Sequence, residues 1–208
     1  SGNFPELLAR ARAIIDLDGI RAKQRAGAQA DGTYLGVGFA LYVEGSGMGP
    51  FEGATVRVLP SGRVEVATGA CSQGQGHRTV YAQIAADALG VPFESVDVIG
   101  GDTAKIGFGI GTITSRSTVT AGNAIHAAAT QVKDRALAIA SDMLEAAPAD
   151  LEIVDGKVRI KGADRTVTVA QVAQAAIKGV LKQGKPGEAE LADTSYFIPP
   201  TVTYASAA

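Results

Sequence analysis

Two loops rich in glycine and hydroxyl residues, each followed by a helical pattern, constrain this chain more than any other feature. The first runs from Gly69 to His77 and the second from Gly111 to Thr120. Loops of this composition leave backbone N–H groups accessible at the positive end of a helix dipole, where phosphate or another anion is stabilised. Two such loops in one domain favour a ligand that contains both a pyrophosphate and a polar ring system.

The segments around the loops carry strand and helix patterns in separate blocks. Valines alternate along 54–59 and 63–67 on either side of Pro60-Ser61-Gly62, which predicts a β-hairpin. Asp155-Gly156 is a strong two-residue turn signal and predicts a second hairpin. The blocks indicate an α+β fold, with mixed sheets and hairpins packed against a few helices.

Apolar stripes at helical spacing predict four helices, of which the longest is rich in alanine, covers about 120–147 and ends before Pro148. The shorter helices are expected at 4–15, over about 14 residues ending at Gly90, and at 169–180 with Thr168 as a candidate N-cap. Further strands are expected at 35–43, at 95–99 and from residue 201. A solvated connector is expected at 19–33 and a surface loop at 182–195.

Composition and charge exclude several classes of function. The 208 residues are 46% hydrophobic and 19% charged, which is typical of a globular protein. A net charge of −2 and the absence of Trp argue against nucleic-acid binding. Cys71, with His77 and His126, cannot form an internal disulfide or a closed zinc site. No segment is long and apolar enough to span a bilayer and no signal-peptide pattern is present, so we expect a cytoplasmic location.

The first loop provides five candidate ligand-binding residues. The side-chain amides of Gln73 and Gln75 both donate and accept hydrogen bonds, which suits a polar heterocycle or an oxo group. Gly74 and Gly76 allow a ligand to approach the backbone, and His77 either binds the ligand or caps the following helix. The alternative is a tight turn that needs glycines for conformational reasons only. Cys71 is expected to be a small buried apolar residue.

The second loop provides five more candidates, and six hydroxyl residues lie among the nine positions of 112–120. Hydroxyl groups at a helix N-terminus, together with one guanidinium, are suited to phosphate. The candidates are Thr114, Ser115, Arg116, Ser117 and Thr118. The alternative is helix capping by Ser117 or Thr118. Neither loop has the spacing of a Walker P-loop or a Rossmann fingerprint, and no pair of residues forms a convincing nucleophile and base.

The order of these motifs resembles the molybdenum-binding large subunit of the xanthine dehydrogenase/aldehyde oxidase family, the molybdenum hydroxylases, and in particular its carbon monoxide dehydrogenase-like members. The resemblance covers nearly the whole chain. It is carried by 36–38, 69, 73–77, 85–90, 114–118, 122–124, 155–156 and 199–201. It implies an N-terminal helix and connector over 1–34 and part of a molybdopterin cofactor-binding domain over 35–208.

The resemblance also implies an activity, a cofactor and partners. Family members oxidise aldehydes, heteroaromatics or similar small substrates with water as oxygen source. They use molybdenum bound to molybdopterin, in bacteria usually as the cytosine dinucleotide, and pass electrons to iron–sulfur and flavin (FAD) subunits. By similarity, residues 73–77 lie by the pterin with Gln73 near a metal oxo ligand, residues 114–118 hold the dinucleotide end, and no residue binds the metal directly.

The chain lacks the family's substrate-side segments and catalytic Glu, and the family's large subunit is several times longer. We therefore expect one interior piece from the C-terminal half of such a subunit, inactive alone and associated with the remaining segments. The alternative function is an assembly or subunit-contact module without cofactor. An apolar β-face at 35–43 would leave core surface exposed in either case.

Overall fold

The computed structural model describes residues 3–183, 190–200 and 203–205. The chain forms two compact units, one made of Ser1–Gly45 with Tyr204–Ala208 and the other of Ser46–Thr203. The boundary that the sequence places after residue 34 stays a prediction. No helix among the described ranges is both long enough and apolar enough to cross a bilayer.

The first unit contains two short helices, α1 (Phe4–Ile14) and α2 (Leu17–Ala26). α1 is confirmed, but the connector expected at 19–33 is wrong because its first part belongs to α2. Asp16 begins that helix by accepting a hydrogen bond from the Gly19 N–H at 3.2 Å. The strand expected at 35–43 is also wrong: its large apolar side chains are exposed and it pairs with no strand in the part of the chain that is described.

A four-stranded sheet forms the centre of the second unit. Its strands, in spatial order, are β4 (Val96–Gly100), β3 (Val64–Thr68), β2 (Glu52–Val58) and β8 (Leu191–Phe197). β2 and β3 form the expected antiparallel hairpin, whereas β3 and β4 are parallel and are joined through helix α3 (His77–Leu89). A separate two-stranded sheet pairs β1 (Glu44–Ser46) with β9 (Thr203–Ala205).

Helices α3 (His77–Leu89) and α4 (Asn123–Leu144) pack on each other and bury the core with the sheet. Small residues allow this close packing, since a Cβ on Gly122 would lie 3.1 Å from Ile84 Cδ1. One π-helical turn, Thr118–Gly122, precedes α4. The long helix ends earlier than expected because Glu145 adopts a left-handed backbone with φ 54°.

A three-stranded antiparallel sheet and one helix complete the second unit. They are β5 (Leu151–Val154), β6 (Lys157–Ile160), β7 (Thr166–Thr168) and α5 (Val169–Gln183). The Asp155-Gly156 hairpin is confirmed, with positive φ at both residues, as a type I′ turn requires. Thr168 caps α5 as expected, since its Oγ1 accepts a hydrogen bond from the Gln171 N–H at 3.2 Å.

The surface loop expected at 182–195 is wrong in its described part. Residues 184–189 lie outside the described residues, but β8 pairs with the full length of β2. The sequence pattern does not indicate this strand, because it contains three consecutive polar residues, Asp193, Thr194 and Ser195. An edge strand exposes many such side chains. The α+β class itself is confirmed, with mixed and antiparallel sheets packed against helices.

Candidate functional site

The two glycine-rich loops lie side by side and line one open cavity of about 450 Å³. The first loop connects β3 to α3, and the second leads into the π-helical turn before α4. His77, the first residue of α3, and Thr118, the first residue of the π-helical turn, both line this cavity, so the two N-terminal ends lie close together. The lining residues are Gln73, Gln75, His77 and 112–118.

Glycine conformation shapes the first loop. Gly74 has φ 107° and Gly76 has φ 77°, both in the left-handed region that favours glycine. Gly76 is the N-cap of α3, and no side chain caps this helix. A Cβ at either glycine would meet nothing within 4 Å, so the backbone borders open space. The α3 N-terminus is therefore open to a ligand, as the sequence predicts.

Two hydrogen bonds join the loops to each other. Thr112 Oγ1 donates to the Cys71 carbonyl at 2.6 Å. Gln73 Nε2 donates a longer bond of 3.4 Å to the Thr112 carbonyl. Within the first loop, the Gln73 N–H donates to Gln75 Oε1 at 2.5 Å. Thr112 therefore links the two loops, a role that the sequence did not indicate.

The second loop has an unusual backbone. Thr114 and Ser115 have φ 46° and 48°, in a region that costs free energy for residues other than glycine. The alternative of helix capping by Ser117 or Thr118 is not seen, because no side chain caps the π-helical turn. The hydroxyl-rich loop is therefore held in a strained form by other contacts.

Two buried polar atoms at this cavity have no hydrogen-bond partner among the described residues, namely His77 Nδ1 and Ser117 Oγ. His77 is 5% exposed and Ser117 is 6% exposed. An unpaired buried polar group costs about 1–3 kcal/mol. Burial lowers the pKa of His77 below its ordinary value, and a weaker interaction with the Cys71 backbone partly opposes this.

Tyr81 lies behind His77, with ring centroids 4.9 Å apart and the rings stacked. Burial, reinforced by the Glu52 charge, raises the Tyr81 pKa to about 12. The nearby Ser117 hydroxyl opposes this increase, although the two hydroxyls do not reach hydrogen-bonding geometry. The phenol is therefore neutral at physiological pH.

Arg116 lies in the protein interior, which the sequence did not predict. Its guanidinium is fully buried and forms an ion pair with Glu52 at 3.1 Å. It also donates hydrogen bonds to the carbonyls of Met48 at 2.8 Å, Phe51 at 2.5 Å and Gly111 at 2.8 Å. The contact with phosphate expected of this side chain stays a prediction, and the bonds that the structure shows go to protein groups.

Glu52 is the principal residue of this site that the sequence reasoning missed. Its side chain is fully buried. The signal was present, because Glu52 shares the strand phase of Ala54, Val56 and Val58, which are all buried. A carboxylate on the buried face of a strand requires a charged or hydrogen-bonding partner.

The other predicted residues divide between the site and the surface. Gln73, Gln75, Thr114, Ser115 and Thr118 are exposed at the loops. Cys71 is exposed rather than buried, and His126 lies exposed on α4. Within the described residues, no group of three or more His, Cys, Asp and Glu could hold a metal ion.

A family model described as "Molybdopterin cofactor-binding domain" matches residues 10–208, which include both loops. The chain belongs to this family. The match confirms the resemblance that the two loops indicate, and it covers the cavity and both helices that open on it.

Relatives within the family include large enzyme subunits. The carbon monoxide dehydrogenase large chain of Afipia carboxidovorans is 35% identical over 98% of this chain and 27% of its own length. The 6-hydroxypseudooxynicotine dehydrogenase complex subunit gamma of Paenarthrobacter nicotinovorans is 44% identical over 71% of this chain and 18% of its own. A solved carbon monoxide dehydrogenase from Oligotropha carboxidovorans gives a TM-score of 0.67 at 35% identity, over 98% of this chain and 27% of that one.

The chain therefore spans between 18% and 27% of the length of these relatives. It corresponds to a segment of a molybdenum hydroxylase large subunit, as expected, and the segment contains the cofactor-binding family match.

Proposed function

We propose that this chain binds molybdopterin in its cytosine dinucleotide form, in the cavity between the two loops. The observation that carries the proposal is the pair of buried polar atoms, His77 Nδ1 and Ser117 Oγ, which lack a partner among the described residues and belong to two residues that line one cavity. Two helix N-termini without side-chain caps open on the same cavity. This donor set suits an anionic ligand with polar rings.

Each loop would hold a different part of the cofactor. The amides of Gln73 and Gln75 would orient the pterin, with Gln73 near a metal oxo ligand, while Gly74 and Gly76 admit the ligand to the backbone. His77 would bond the ligand through Nδ1. The hydroxyl and N–H groups of the second loop would hold the pyrophosphate, and the residues concerned are Thr114, Ser115, Ser117 and Thr118.

The bound cofactor would supply two-electron oxidation of an aldehyde, a heteroaromatic or a similar small substrate, with water as oxygen source. The chain's own residues would bind and orient it. We propose that the site becomes complete in a larger subunit, which passes electrons to iron–sulfur and flavin subunits. The cytoplasmic location expected from the sequence stays a prediction.

The first test is binding of cytidine diphosphate, which carries the nucleotide and diphosphate of the proposed cofactor. In two-dimensional NMR spectra of the 208-residue chain, we expect shifts at residues 73–77 and 112–118. Gln73→Ala should leave the diphosphate contacts intact but weaken binding of the complete cofactor. Exposed Gln83, on α3, provides the matched control Gln83→Ala. Cytidine without phosphate should cause no shifts in the second loop.

Elemental analysis of the purified chain for molybdenum, with release of cytidine monophosphate on acid treatment, tests the complete cofactor. Shifts confined to other surfaces, together with absent molybdenum and nucleotide, would contradict the proposal. That outcome would favour the assembly module, which a partly exposed aromatic cluster also supports. In this cluster, Phe51 lies 5.5 Å from Phe108 and 5.8 Å from Tyr196, centroid to centroid.

A further inference from the structure

We infer that Glu52 and Arg116 are positioning residues that fix the second loop for dinucleotide binding, and that neither is itself a ligand. This inference rests on the proposed function for the identity of the ligand. The positioning role itself rests on the geometry of the buried pair.

The Glu52 carboxylate holds the chain that leads into the loop. Its Oε2 accepts hydrogen bonds from the N–H groups of Ile110 at 3.2 Å and Gly111 at 3.0 Å, and from Arg116 Nη1 at 3.1 Å. Its Oε1 faces the opposite strand end, since a Cβ on Gly69 would lie 2.7 Å from that oxygen. One carboxylate thus contacts the approaches to both loops.

The Arg116 guanidinium holds the loop from the other side. Its three carbonyl acceptors belong to two separate segments. Met48 and Phe51 precede strand β2, and Gly111 lies at the start of the second loop. The Arg116 carbonyl accepts from the Thr120 N–H at 2.8 Å and from Thr120 Oγ1 at 3.0 Å. Arg116 therefore connects the segment before β2, the second loop and the π-helical turn.

This network explains how Thr114 and Ser115 remain in a left-handed backbone. Strained residues persist where the surrounding structure determines their conformation, and the strained pair lies between two points that the network fixes, Gly111 and Arg116. An isolated buried ion pair adds little stability compared with apolar residues of similar size. We therefore assign the pair to loop geometry.

The sign of a charge effect separates positioning from direct contact. A carboxylate beside an anion site repels the anion, so neutralising Glu52 would strengthen binding if charge alone mattered. If Glu52 positions the loop, neutralising it weakens binding instead. For Arg116, a lysine keeps the charge but cannot reproduce the planar fork that reaches three carbonyls.

The experiment uses the full 208-residue chain with Glu52→Gln and Arg116→Lys. The matched control is Glu152→Gln, which opens an exposed ion pair with Arg159 of 2.8 Å. Two quantities are measured, amide hydrogen exchange at Ile110 and Gly111, and the affinity for cytidine diphosphate. We expect both variants to lose protection at these amides and to bind about tenfold more weakly, as when residues supporting a ligand shell are replaced. The control should match the wild type in both.

Any one of three results would overturn the inference. The first is tighter cytidine diphosphate binding by Glu52→Gln, and the second is unchanged exchange at the Ile110 and Gly111 amides in that variant. The third is wild-type affinity and wild-type exchange in Arg116→Lys. If the wild type binds no cytidine diphosphate, the proposed function fails in this chain, and the exchange data still decide whether the pair positions the loop. If Glu52→Gln does not fold, the variant Glu52→Gln/Arg116→Gln, which leaves no unpaired charge, replaces it in the same two measurements.

Discussion

Individual residues at the cavity are not arranged for maximal stability. His77 and Ser117 are buried without partners among the described residues, and Tyr81 behind them is in the same state. Each such group costs free energy in the folded chain. Groups of this kind concentrate where function requires them, and here they border the proposed cofactor site.

Burial of His77 predicts a pH dependence of stability. Its folded pKa lies below the ordinary value of 6.5, so the unfolded chain takes up the proton first as the pH falls. The stabilising contribution of the neutral imidazole is therefore complete above pH 6.5 and is lost as the pH falls towards the folded pKa. We expect His77→Gln to reduce the loss of unfolding free energy between about pH 7.5 and about pH 5.5.

Urea denaturation at both pH values checks this prediction. His126 is exposed on α4, so His126→Gln serves as the matched control and should retain the wild-type difference. An NMR titration of the two imidazoles gives an independent reading, in which the His77 midpoint lies below 6.5. A His77 midpoint at or above that value would show the burial argument to be wrong.

Sequence reasoning found the loop residues but not their support. Gln73 to His77 and Thr114 to Thr118 were identified because composition alone marks a helix N-terminus. Glu52 could not be linked to Arg116 in this way, since 64 positions separate them and only the fold brings them together. The interior partners of Arg116 are hidden for the same reason, because an arginine among hydroxyl residues looks the same in sequence whether it faces a ligand or the interior.

At the scale of elements, the site depends on the close approach of two backbones. The end of β3 leads through Gly69, which packs against Gly109 in the segment before the second loop. A Cβ on Gly109 would lie 2.5 Å from the Gly69 Cα and 2.5 Å from Glu52 Oε1. Only glycine permits both contacts, so this pair determines how closely the two loops can meet.

Gly109→Ala should therefore destabilise the fold by about 1–3 kcal/mol, because the added methyl group overfills a packed interior. It should also displace the Glu52 carboxylate and so weaken cytidine diphosphate binding. Gly107→Ala is the matched control two residues away, where a Cβ would meet nothing within 4 Å. Urea denaturation of both variants checks the difference. Equal stability of the two alanine variants would contradict the close-packing argument.

The elements that sequence predicted well have strong local signals. The β2–β3 and β5–β6 hairpins are such cases, since alternation and turn residues determine them locally. β8 has no such signal: its pairing with β2 is long-range, and its exposed positions are polar. The strand expected at 35–43 is the opposite case. Its residues are apolar, but the segment has no neighbouring strand among the described residues with which to form hydrogen bonds.

At the scale of the molecule, the two units differ in how many of their described residues are buried. The buried core belongs to Ser46–Thr203. The other unit contributes no buried residue from α1 or α2. Such a division suits a segment of a longer subunit, since the chain spans at most 27% of the relatives described above. We expect the first unit to be the less stable of the two.

Limited proteolysis with chymotrypsin tests this difference directly. Proteases cut where the backbone is exposed and free of regular structure. Tyr34 and Tyr42 are 78% and 67% exposed in such a segment. Phe108 is also exposed, but its segment is held through the Glu52 bonds to Ile110 and Gly111. Mass spectrometry should therefore find the first cuts within 34–43, leaving a fragment that retains its circular dichroism. A first cut after Phe108 would mean that the second loop opens more readily than the N-terminal segment, and would contradict both this ranking and the proposed positioning by Glu52.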